Sequence, residues 1–148
     1  MPTLTRWYIK TSLAWFVAAL SLGVVSYLLP ASIPSSALQP VYLHMLVVGW
    51  ITQLIFGVVY WMFPKASLER PRGSSTLAAA TFILLNIGLA ARAVGEPMTA
   101  LGPAPIGRSL ILVSAGLQWL AGLGFVANTW PRVISPSPHS TEERRAQG

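Results

Sequence analysis

The chain contains no cysteine among its 148 residues, which excludes disulfides, iron–sulfur clusters and thiolate zinc sites. Any metal would have to use histidine, methionine or oxygen ligands. Aspartate is absent too, and the four acidic residues are glutamates at 69, 96, 142 and 143. All four read as belonging to loops, helix ends or the tail, so proton-coupled multidrug transport loses the intramembrane carboxylate it normally needs. Ser-His-Asp and phosphate-loop arrangements are missing, so no catalytic residue is assigned. Charge itself is scarce: 9% of the residues, against about 25% in an ordinary soluble domain.

What fills the chain instead is apolar side chain, 53% of the residues. Four runs, Ser12 to Leu29, Val41 to Phe63, Ser75 to Gly95 and Arg108 to Trp130, each approach the ~20 residues that cross a ~30 Å hydrocarbon core. All four are expected to be helical, because lone strands cannot satisfy their backbone groups in lipid. The expected fold is an all-α polytopic membrane four-helix bundle over residues 1–130. The tail, 131–148, is rich in proline, serine and mixed charge and is expected to be disordered. His139 in that tail reads as an ordinary surface histidine.

The net charge of +6 marks a membrane side rather than a nucleic-acid partner, and the lipid bilayer is the expected partner. With four crossings, Arg6, Lys10, Lys65, Arg70, Arg72, Arg132, Arg144 and Arg145 share one side and only Arg92 and Arg108 the other. The positive-inside rule then puts both termini in the cytoplasm and His44 near the outer face of a bacterial inner membrane. A competing reading makes the first helix a cleaved signal peptide, with Arg6 and Lys10 as its basic region and a small-residue site near Ser35, Ser36 and Ala37.

The segment His44 to Pro64, HMLVVGWITQLIFGVVYWMFP, has no acidic or basic residue except His44, whose imidazole in hydrocarbon must pair, face water or bind something. Gly49, Gln53 and Gly57 follow at four-residue intervals and form one ridge directed into the bundle. At 100° per residue His44 points about 180° away from Gln53, toward a second packing surface, a cofactor or a neighbouring protomer. Ser21, Gln53, Asn86 and Gln118 lie near the midpoints of the four helices and are expected at one level, either as interhelical glue or as a polar path. Gly116, Gly122 and Gly124 offer small surfaces on the fourth helix. Tyr60, Trp61 and Trp130 read as interfacial belt residues. Arg92 and Glu96, at i,i+4, are expected to pair.

Taken with Gly49-Trp50, Phe56-Gly57, Tyr60 and Phe63-Pro64, His44 makes the second helix resemble a family of small four-helix membrane proteins. These are related to subunit I of the haem-copper oxidases, chiefly the cbb3-type and nitric oxide reductase branch, and to the NnrS haem proteins. The match covers about one helix and is loose elsewhere. In the large oxidase subunits the corresponding histidine is an axial ligand of a low-spin haem near the outer face. The resemblance thus implies a b-type haem held by His44, with Arg92 and Arg108 as natural propionate partners, and a role in respiratory electron transfer or nitric oxide chemistry. The chain departs from the pattern at Tyr42 and Asn86, where further histidines are expected. That leaves a five-coordinate haem, a weak ligand such as Met45, a second His44 from a symmetric homo-oligomer, or loss of the cofactor. With one helical histidine the chain cannot build a binuclear oxygen-reducing centre by itself, and the sequence does not establish enzymatic turnover. The alternative function is a haem-free accessory or assembly subunit of a larger respiratory complex; a small transporter built on the polar midpoint residues is a third.

Overall fold

A computed structural model of the chain describes residues 1–28, 37–63 and 73–134. Four helices make up the fold: α1 Thr3–Leu28, α2 Gln39–Met62, α3 Ser75–Leu101 and α4, spanning Ala104–Ile134. No strand occurs among the described residues, and each helix is long and apolar enough to cross a membrane. The fold is the expected all-α polytopic bundle. Its helices overrun the apolar stretches because the backbone ladder continues into the polar rims, where side chains reach water. α1 therefore starts well before Ser12, with Arg6 and Lys10 exposed on it. Ser35 and Ser36, at the possible cleavage site, lie outside the described residues.

Two of these extensions correct the sequence reading. α3 runs past Gly95 to Leu101, so Glu96 sits inside a helix and is buried at 7% exposure. α4 runs through Pro131 and Arg132 to Ile134; the remainder of the tail, 135–148 with His139, lies outside the described residues. Arg132 is accordingly no free tail cation. It is fully buried, donates from Nη2 to the Phe63 carbonyl at 2.7 Å and lies 5.9 Å from the centre of the Phe63 ring. It thereby ties the end of α4 to the end of α2, whose terminal carbonyls have no helical partner.

α1 packs along α2, and α3 packs along α4 over nearly their whole lengths. The α3–α4 hairpin turns at Gly102–Pro103, where the Gly102 N–H donates to the Met98 carbonyl. Its seam is made of glycines: a Cβ on Gly107 would lie 2.8 Å from the Gly95 carbonyl oxygen, and one on Gly124 2.7 Å from Thr81 Oγ1. Without a strong hydrophobic force between helices in lipid, such close backbone approach is what holds them. Gly116 and Gly122, expected to share this role, instead face open space. Gly73, before α3, does need to be glycine. Its φ is +73°, a left-handed conformation, and a Cβ there would stand 2.5 Å from Asn128 Oδ1.

The core lies toward the end that holds the start of α1. Tyr8, Phe56, Leu85 and Ala121 meet there from the four helices, flanked by Phe82 and Phe125. Tyr8 meets Phe82 edge-on at 5.0 Å, Phe56 stacks on Phe125 at 3.8 Å, and the Tyr8 hydroxyl donates to the Ala78 carbonyl at 2.9 Å. Tyr60 is buried in this region, whereas Trp61 and Trp130 are exposed.

Candidate functional site

α2 does not wind uniformly. From Met45 to Thr52 it is a π-helix, each N–H reaching one residue further back than in an α-helix. This wider winding advances fewer degrees per residue, so the 100° wheel does not apply between His44 and Gln53. Gln53 is fully buried and donates from Nε2 to the Tyr8 carbonyl on α1 at 3.4 Å. Gly49, inside the π segment, abuts Trp15 on α1 and Leu89 on α3. His44, at the start of the segment, faces α3.

The group opposite His44 belongs to the same chain. Glu96 Oε1 lies 3.7 Å from His44 Nδ1 and accepts from Arg92 Nε at 2.7 Å. The three residues form one polar cluster around the Arg92–Glu96 ion pair, with side chains 28%, 8% and 20% exposed for His44, Glu96 and Arg92. Pairing is what makes a buried carboxylate tolerable at this depth. Even so, Glu96 Oε2 is buried with no hydrogen-bond partner. The expected Arg92–Glu96 pair is present; the cross-helix histidine is what sequence reasoning missed. The apolar runs did not signal it, since His44 lies three residues inside the run that starts at Val41 and Glu96 lies one beyond the run that ends at Gly95. Only the observed ends, Gln39 and Leu101, put the two at equal distances, 39 to 44 and 96 to 101, on antiparallel neighbours.

His44 Nδ1 lies 2.8 Å from the Pro40 carbonyl oxygen. A carbonyl can only accept, so Nδ1 carries a proton, and in the neutral imidazole the lone pair is then on Nε2. Arg108 is exposed at the start of α4, on the same side of the bundle as His44, whereas Arg92 is committed to Glu96. Met45 is half-buried beside His44. No group of three or more histidine, cysteine, aspartate or glutamate residues that could hold a metal ion occurs among the described residues.

None of the described hydrogen bonds joins one polar midpoint residue to another. Trp15 Nε1 donates to Asn86 Oδ1 at 2.9 Å, linking α1 to α3. Gln118 donates to Ser114 on its own helix at 2.9 Å. Ser21 is exposed on α1. Depth follows from position in the run, but the direction of each side chain depends on which neighbour its helix finds. No family model matches the chain, and neither a curated protein nor a solved structure resembles it closely enough to count as a match.

Proposed function

We propose that this chain is a multi-pass protein of the bacterial inner membrane, both termini cytoplasmic, that holds a b-type haem through His44 near the outer face. Its role is electron transfer or nitric oxide related chemistry in a respiratory setting. The observation that carries the reading is the Pro40 carbonyl on His44 Nδ1 at 2.8 Å. Metal-binding histidines characteristically donate their second ring N–H to such an acceptor, which fixes the tautomer and makes the other nitrogen a better ligand. The residues present fit the group on this count: His44 Nε2 would hold the iron, and exposed Arg108 would receive a propionate. Arg92 is replaced in that role, because its guanidinium already neutralises Glu96. The haem would supply one-electron and gas-binding chemistry; the chain's own part is to orient the imidazole and screen the buried Glu96 charge. No turnover is assigned to the isolated chain.

A visible spectrum of full-length protein from haem-replete cells, in mild detergent, tests this. A Soret band is expected in the wild type and its loss in a folded His44→Ala variant. A colourless, well-folded wild type at full haem supply would reject the reading.

One observation favours the second reading, a haem-free accessory or assembly subunit in a larger respiratory complex. Leu112, Gly116, Trp119, Leu123, Val126 and Trp130 form an exposed seam along α4 at alternating spacings of four and three, the pattern that seats a partner helix. Co-purification from native membranes should then yield a stoichiometric partner that a Gly116→Leu substitution releases. Recovery of the chain alone under gentle extraction would remove this reading.

A further inference from the structure

Near the core, where the four helices meet, lies a crevice of about 10 Å³ bordered by Tyr8 of α1, Tyr60 of α2, Thr81 of α3 and Asn128 of α4. Thr81 is 2% exposed, and its Oγ1 has no hydrogen-bond partner in the protein. A helical threonine commonly bonds back to the carbonyl one turn earlier, and this one does not. Its hydroxyl instead lies against Gly124, where a Cβ would come within 2.7 Å of Oγ1. Glycine on α4 thus leaves room for the hydroxyl, which in a purely apolar seam would be better replaced by carbon.

Space and chemistry agree on the occupant. The volume admits the centre of about one water molecule, and a buried water needs two to four polar partners. The Thr81 hydroxyl can donate and accept. The Tyr8 hydroxyl, whose hydrogen goes to the Ala78 carbonyl at 2.9 Å, still accepts through its oxygen, and the Tyr60 phenol can do either. An acyl methylene could satisfy none of these hydroxyls. We propose that Thr81, Tyr8 and Tyr60 form a binding site for a single water molecule within the membrane-spanning bundle, and that this water links α1, α2 and α3. The site lies toward the opposite end of the bundle from His44 and is independent of any haem.

Solid-state NMR of the full-length protein in lipid bilayers, with magnetisation transferred from water protons, tests the site. The Thr81 signals should build up several-fold faster than those of Leu85 and Ala121, which are equally buried and apolar. Build-up at Thr81 as slow as at Leu85 would overturn the proposal. Thr81→Val gives a second readout through its sign. Loss of a bound water's anchor lowers the unfolding midpoint, with Thr81→Ser restoring it, whereas removal of a dry hydroxyl raises it. A raised midpoint for Thr81→Val would also overturn the site. If the valine variant does not fold, the wild-type water transfer decides alone.

Discussion

Replacing Arg92 by leucine is expected to destabilise the bundle by about 3 kcal/mol, at the lower end of the cost of leaving a buried charge unpaired. The guanidinium Nε stands 2.7 Å from Glu96 Oε1, and the other carboxylate oxygen is already buried without a partner. Without Arg92, the neighbouring cation available to Glu96 is His44, 3.7 Å away and charged only when protonated. The carboxylate must then take up a proton, recruit the imidazole or pull its helix toward the rim, and each response costs stability. Arg92 keeps part of its surface accessible, which places the effect at the low end of the range. Removing both charges, as Arg92→Leu with Glu96→Leu, should recover most of the loss, because the desolvation cost disappears with the pair. Reversible unfolding in bicelles measures the full double-mutant cycle. A single Arg92→Leu variant within about 0.5 kcal/mol of wild type, the ordinary range for surface changes, would show that the pair does not hold this end of the bundle.

The second large effect is expected at Gly57. A Cβ there would lie 2.6 Å from Tyr8 Cβ, a carbon bonded directly to the α1 backbone that no rotamer change can move. Gly57→Ala must therefore separate α1 from α2, at about 1–3 kcal/mol for overpacking. It also disturbs the Gln53–Tyr8 and Tyr8–Ala78 hydrogen bonds beside it. Gly116→Ala is the control, since nothing lies within 4 Å of the position. There the better helix propensity of alanine, up to about 1 kcal/mol, should leave stability unchanged or raised. Unfolding midpoints measured side by side check both, and equal effects at the two glycines would mean that α1 and α2 do not approach as closely as described.

Much of the fold was legible because a bilayer imposes a simple length rule. Four apolar runs of spanning length require four helices, and the ridge of Gly49, Gln53 and Gly57 already marked a face of α2 directed into the bundle, though not which helix it meets. Helix ends were less legible. Hydropathy reports where lipid stops, while the hydrogen-bond ladder carries α3 to Leu101 and α4 to Ile134. That difference took Glu96 and Arg132 out of the loops and tail and buried them.

By itself, then, the sequence determined the class, the number of spans and the local Arg92–Glu96 pairing, all properties of one helix at a time. Only the tertiary structure decided what stands opposite His44. The π-helical winding after His44 changes the phase of α2, and the antiparallel packing of α2 on α3 brings the imidazole to a carboxylate 52 positions away (96 − 44). The same holds for Gln53 reaching α1, Asn86 reaching Trp15 and Ser21 remaining exposed. Azimuth and partner are set by how neighbouring helices fit against one another, and no periodicity within a single run carries that information.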